Sequence, residues 1–339
     1  MLKILGTTLA AFAMTAWLGG IREADAADFI LKISSPAPLS DNDALSAWFR
    51  AFENGLEEHS DGRIDVQLYP SSQLGPIPST VEGVALGTIE MTAPIIGFLS
   101  KLDPRFQVLD AAGLFDNEEH ALRTLSDPSV RKMLSEFGAS ANVEPLVVLT
   151  SGQSVVISRS PINDPDKFSG VKLRTGGATP LLNEPMQALG AAPVALPLGE
   201  AAPALQVGTI DAAAINMPVA IGFKFADVAK EATYLPGSFT VIGGIVSKDF
   251  LALIGPDLEA IVREEAENAK KAYAEKLKSG PAFLEGVWAK QGGHLHTFDA
   301  EQKKAYTDVV TAAVEKVVSG NPQMQADYNI LKAAADAAR

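Results

Sequence analysis

The mature-looking part of the chain opens on three segments whose periods change in a telling order. "FILKISS" reads as a strand. "DNDALSAWFRAFENGLEEHS" follows with Leu45, Trp48, Phe49, Phe52 and Leu56 at helical spacing, and "GRIDVQLYP" then alternates Ile64, Val66 and Leu68 with Asp65 and Gln67 until Pro70 stops it. A strand, an amphipathic helix and a second strand make a βαβ unit, which places its strands parallel in one sheet and commits the chain to α/β layers.

Further along, "STVEGVALG" feeds a short strand "TIEMTAP", and "EEHALRTLSDPSVRKMLSEFG" reads as one helix or a pair broken near Pro128. "PLVVLTS" and "QSVVISRSP" are extended runs around Gly152, and "ATYLPGSFTVIGGIVS" is another. "PVAIGFKFADVAK" reads as helical. A long helical stripe from Asp257 to Leu277 is expected to run across two lobes, and the final "YNILKAAADAAR" reads as a fraying helix. The words "VALGTIEMTAP" and "LQVGTIDAAAI" share the order Gly-Thr-Ile-acid-apolar, as expected of one α/β unit used once per lobe. The alternative is chance similarity of a short word. Two such lobes enclose a cleft, and ligands of open α/β sheets collect beyond the carboxyl ends of the strands.

The first residues belong to export rather than to the fold. Lys3, an apolar run from Ile4 to Leu18, and Ala24 and Ala26 spaced as A-x-A mark residues 1–26 as a signal peptide. The apolar run is shorter than the roughly 20 residues of a membrane span. The chain has no cysteine, hence neither a lipid-anchor cysteine nor disulfides, and its core alone must hold it together. Lys and Arg number 28 against 41 Asp and Glu, a net charge of −13 that is unchanged when residues 1–26 are removed. So acidic a surface repels phosphate backbones and argues against nucleic acid as a partner, without forbidding a local anion site.

The chemistry-bearing residues are few. In "GVKLRTGGATP", Arg174 follows Leu173 at the carboxyl end of an expected strand, where a guanidinium can offer parallel donors to a carboxylate. Gly176 and Gly177 beside it would allow close backbone approach or positive φ. A surface arginine or an internal ion pair is the plainer alternative. The Gly-Gly-Ala-Thr run is no dinucleotide fingerprint, and no P-loop, H-E-x-x-H, EF-hand or G-x-S-x-G pattern occurs. His294 and His296 lack the company of a zinc site, and Glu90 and Asp211 sit at strand starts, away from the expected cleft. No catalytic constellation, cofactor motif or metal site emerges.

Four ordered pieces then resemble a known family: "DGRIDVQLYPSSQLG", "VEGVALGTIEM", "FSGVKLRTGG" and "MQALGAAPVALPLGEAAPALQVGTIDAA". Together, after a signal peptide, they resemble the periplasmic solute receptors of TRAP (tripartite ATP-independent) transporters, the DctP-like family. The resemblance implies a two-lobed periplasmic-binding-protein fold with hinge strands near 151–154 and 238–240 and a long domain-spanning helix. Lobe I is expected to comprise 27–152 with 240–278, and lobe II 153–239 with 279–339. It also implies that Arg174 fixes the carboxylate of an organic acid, and that the partners are the small and large TRAP membrane subunits, serving a monomeric periplasmic receptor.

Two departures from the relatives narrow the ligand. Ser154 stands where many have a second arginine, and Ile95, Ile96 and Phe98 stand where some have polar contacts. The expectation is a monocarboxylate or otherwise partly apolar acid, with Gln153, Ser154 and Asn216 left to meet a hydroxyl or keto group. Ile95 belongs to the apolar wall, and Phe239 either stacks on the ligand or belongs to the core. Competing functions are a receptor of an ABC transporter or a sensor, and an exported lyase or isomerase, which would need an acid or base near Arg174.

Overall fold

The structure is a computed structural model that describes residues 27–339, so the expected signal peptide, 1–26, lies outside the described residues. The opening unit forms as its periods dictate: β1 (Phe29–Ser34), α1 (Ala44–His59) and β2 (Ile64–Tyr69), with β1 and β2 parallel. Asp43 caps α1 by accepting from the Ser46 amide at 2.8 Å, and the stripe read from the sequence is buried.

Next come α2 (Ile77–Ala85), β3 (Met91–Thr92), α3 (Glu118–Leu125) and α4 (Pro128–Leu134), the last two separated at the expected proline. Two 3-10 turns, 96–101 and 104–110, precede α3. Then follow β4 (Val143–Ser158), β5 (Lys172–Thr175), α5 (Pro180–Ala188), β6 (Ala192–Ala195), α6 (Leu198–Val207), β7 (Ala212–Asn216) and α7 (Met217–Gly222). The chain ends with β8 (Glu231–Ser247), α8 (Lys248–Asn268), α9 (Lys270–Leu277), α10 (Gly280–Lys290), β9 (His294–His296), α11 (Ala300–Ser319) and α12 (Pro322–Ala338).

Among the described residues one sheet runs β2-β1-β3-β8-β4-β7-β5-β6, with β9 added to β8. The two long antiparallel strands β4 and β8 are shared by two lobes. Their outer halves pair from Val143↔Ser247 to Thr150↔Val241 on one side, with one register shift between Pro145 and Val147, and from Val155↔Tyr234 to Ser158↔Glu231 on the other. Between them the register shifts twice, and residues 235–238 of β8 stand opposite a single residue of β4. Gly152 (φ 95°) and Gly237 (φ 66°) supply the backbone turns this needs, and the Gly113 amide donates to the Gly237 carbonyl at 2.8 Å. The two extended runs around Gly152 are thus one strand with a bulge at the crossing.

The repeated word is one structural unit used twice. Glu90 accepts from the Lys32 amide at 2.9 Å and Asp211 from the Lys172 amide at 3.0 Å, each acid tying its strand start to a parallel neighbour. Gly87 and Gly208 both take positive φ, and the Thr88 and Thr209 amides turn back onto the Gly83 and Ala204 carbonyls. Both carboxylates are therefore structural.

The helix expected from Asp257 to Leu277 is two helices, α8 beginning earlier, at Lys248, and α9 following at Lys270. Both pack on α1, and α10 continues onto α7 and β9, so the helical run does pass from one lobe to the other. Tyr273 of α9 donates to the Thr150 carbonyl at 2.9 Å, fastening this run to β4 just before its bulge. The terminal helix does not fray. Tyr328, Leu331, Ala334 and Ala335 of α12 are buried, the helix packs on α3 and α4, and Arg123 donates to the Ala338 carbonyl. No helix of the described residues is long and apolar enough to cross a membrane.

Candidate functional site

Strand β5 is short, and three of its four residues are buried: Leu173, Arg174 and Thr175. Leu173 enters the core, and the pleat turns Arg174 to the other face. Its guanidinium reaches both neighbouring strands, Nε donating at 3.0 Å to the carbonyl of Leu196, just past the end of β6, and Nη1 at 3.2 Å to that of Ala214, midway along β7. Arg174 is 1 % exposed, so the surface-arginine alternative is excluded. The internal ion pair is excluded too: burial, with no offsetting carboxylate, lowers its pKa to about 10. It stays charged at neutral pH, and of its five N–H donors three have no partner among the described residues.

The guanidinium lines a cavity of about 100 Å³. Five of the six residues expected from the sequence meet there: Arg174, Ser154, Asn216, Ile95 and Phe239. Ser154 and Asn216 are cross-strand partners on β4 and β7. The Asn216 Oδ1 caps α7 by accepting from the Val219 amide at 3.0 Å, which leaves its amide NH₂ as the available donor. Ser154 Oγ stands 3.5 Å from Thr240 Oγ1. Phe239 is half-buried against Phe115 with ring centroids 6.1 Å apart, serving as both packing aromatic and cavity wall.

Gln153 is the exception. Successive residues of a strand face opposite ways, so with Ser154 turned to Arg174, Gln153 turns away, and its Nε2 donates to the Leu235 carbonyl at 3.0 Å. It lines a second cavity of about 620 Å³, which shares Phe239 with the first. That cavity is poor for an anion: Asp43, Asp116, Glu118, Glu119 and Glu285 outnumber Lys276 and Lys303 on its walls. Burial, with Asp43 nearby, pushes the Glu118 carboxyl up to about 7. The smaller cavity is therefore the candidate site.

Gly176 and Gly177 do not take positive φ, and a Cβ at either would meet only ordinary contacts, 3.6 Å from Ile95 and 3.4 Å from Leu182. Gly176 lines the cavity beside Arg174. Several lining residues escaped the sequence reading: Asp110, Ser238 and Thr240, and the apolar Leu182, Met186 and Leu198. A lone acid in the apolar run from Val108 to Leu114 is a signal that marks Asp110. His294 and His296 both bond Glu231, at 2.9 and 2.6 Å. Among the described residues no three His, Asp or Glu side chains are arranged to hold a metal.

The family model for bacterial extracellular solute-binding proteins, family 7 (DctP), matches residues 38–321. The C4-dicarboxylate-binding periplasmic protein DctP of Rhodobacter capsulatus is 27 % identical over 262 residues, 77 % of this chain and 78 % of that protein. The 2,3-diketo-L-gulonate-binding periplasmic protein YiaO of Escherichia coli K12 is 25 % identical over 315 residues, 91 % of this chain and 92 % of that one. The solved structure of the sugar acid binding protein DctPAm of Advenella mimigardefordensis, in complex with galactonate, superposes with a TM-score of 0.84 at 21 % identity, covering 93 % of this chain and all of the other. The chain belongs to bacterial extracellular solute-binding protein family 7, the DctP-like periplasmic solute-binding proteins of TRAP transporters.

Proposed function

We propose that this periplasmic receptor captures a small monocarboxylate between its lobes and delivers it to the small and large TRAP membrane subunits. As in the rest of its family, the task is binding and no chemistry follows. The observation that carries the ligand class is Arg174: a buried guanidinium without an acidic partner, with three free donors, on the wall of a cavity that has no second Lys, Arg or His. A carboxylate takes two parallel donors from such a fork, and the low-dielectric surroundings strengthen the pair.

The rest of the wall supports one charge rather than two. Ile95, Leu182, Met186 and Leu198 are apolar, and Ser154, Asn216 and Thr240 are neutral hydrogen-bonding groups suited to a hydroxyl or keto oxygen. The relatives named above bind C4-dicarboxylate, diketogulonate and galactonate, all carboxylates, but a second carboxylate here would find no cation. The size argues the same way: about 100 Å³ is small beside the roughly 300–1,000 Å³ of common ligand pockets.

The lobes that close over this site are taken as 27–152 with 240–278 and 153–239 with 279–339, α12 reaching back onto α3 and α4 to clasp the first. The receptor acts as a monomer. Native mass spectrometry of the purified protein, followed by calorimetry with propionate, lactate, pyruvate, succinate and galactonate, tests the ligand class. A three- or four-carbon monocarboxylate should bind best; preference for succinate or galactonate would overturn the assignment.

A further inference from the structure

One titratable group in the site is unused by the anchor. Asp110 closes the 3-10 turn 104–110 and lines the same cavity as Arg174. Its Oδ2 is sealed from solvent without a hydrogen-bond partner. The carboxyl is pressed against the backbone of Gly97, where a Cβ would stand 2.9 Å from Oδ2 and 3.1 Å from Leu182 Cδ1. The residue as a whole is partly buried, and it lines the cavity. A carboxyl oxygen sealed away from both donors and cations disfavours the ionised form of the side chain.

We propose that Asp110 is a specificity-determining residue that keeps its proton, donates it in a hydrogen bond to a keto or hydroxyl oxygen of the ligand, and so selects monoanionic oxygen-bearing acids. This rests on Arg174 being the carboxylate anchor. The charge balance follows: Arg174 with a neutral Asp110 gives the cavity one positive charge, matched by one carboxylate. An ionised Asp110 would cancel Arg174 and leave the charge of a bound anion unmatched. Enclosure alone raises the Asp110 pKa to about 8, in keeping with this state.

No other charge competes for that proton. Among the described residues, Arg174 is the only other charged one on the cavity wall. Of the elements packed on the 104–110 turn, the charged residues Lys101, Glu184, Glu231, Asp327, Lys332 and Asp336 do not line the cavity. Arg105, on the turn itself, is bonded to Asp103 at 2.8 Å.

The test is calorimetry of wild type, D110N and R174A with propionate, L-lactate, pyruvate and L-alanine, from pH about 6 to 10. Propionate matches lactate and pyruvate in length but lacks the second oxygen, and should bind roughly fivefold to a hundredfold more weakly. Lactate affinity of the wild type should be level below pH about 8 and fall about tenfold per unit above it. D110N, neutral and still a donor, should remove that fall while holding lactate affinity at neutral pH within about threefold. Equal binding of propionate and lactate, a fall that persists in D110N, or no binding of lactate and pyruvate would overturn the proposal. Tighter binding of alanine, growing with pH, would overturn it in favour of an ionised Asp110 that meets an ammonium group. R174A separates this inference from the anchor: if R174A keeps propionate affinity, the anchor fails, whereas if R174A loses every acid while the wild-type profile is flat, only the role of Asp110 fails.

Discussion

Replacing Arg174 by alanine is the perturbation with the largest expected effect on binding. The side chain spends two N–H donors on the Leu196 and Ala214 carbonyls, which fix the plane of the guanidinium, and keeps three without a partner among the described residues on the wall of the cavity. Truncating one partner of a buried charged hydrogen bond costs about 2–5 kcal/mol, so Arg174→Ala should weaken monocarboxylate binding roughly thirtyfold to several thousandfold. Arg174→Lys keeps the charge, but an ammonium cannot hold both carbonyls and also offer a parallel fork. A loss of about tenfold or more is expected there. Calorimetry on protein freed of ligand by unfolding and refolding reads both numbers, with circular dichroism confirming the fold. A loss of less than about threefold in Arg174→Ala would mean that the carboxylate is held elsewhere, and the charge reasoning would fall with it.

Two further outcomes concern stability. The folded-state pKa of Asp110 is raised from 3.8 to about 8, so the native state holds a proton that the unfolded chain has released across that window. Stability therefore falls as pH rises between those values, by up to about 1.4 kcal/mol per unit from this group, and levels off above about 8. In urea titrations of the ligand-free protein, Asp110→Asn should gain on the wild type as pH rises; a difference that does not change with pH would contradict the buried neutral acid. At the crossing, Gly237→Ala places a side chain on a residue with φ 66° and sets its Cβ 3.0 Å from the Gly113 Cα. A cost of about 1–3 kcal/mol, seen as a drop of several degrees in Tm, is expected, and an unchanged Tm would show that this contact yields without strain.

Much of the fold was legible because its signals are local. The α1 stripe, the alternation of β2 and the break at Pro128 each follow from spacing within one element, and each appears where its period places it. The Gly-Thr-Ile-acid word was legible as a repeat, but its cause was not. Glu90 and Asp211 matter for the amide of a strand distant in sequence, and a contact of that kind leaves no periodic trace. The tail shows the converse. "YNILKAAADAAR" carries weak terminal signals, and its order comes from burial against α3 and α4 and from the Arg123 bonds to Ala338, all long-range.

The site itself sits where the local rules give way, and for a mechanical reason. Between Thr150 and Val155 the β4–β8 ladder loses register, and the unpaired stretch of β8, residues 235–238, frees the backbone to turn Ser238, Phe239 and Thr240 around one cavity. Strict alternation places Phe239 and Thr240 on opposite faces, and so hides that they share a wall. The same irregularity serves the motion a two-lobed receptor needs. A regular ladder across both lobes would resist bending at every rung, whereas a bulge confines the change to a few residues, Gly152 and Gly237 among them. Hinge and cavity wall are consequently one segment, and on the proposed reading a ligand that touches Ser154, Phe239 or Thr240 would act directly on the residues at the crossing of the lobes. If Arg174 anchors the ligand as proposed, its binding energy would reach closure through that shared backbone, which would tie the register shift to capture.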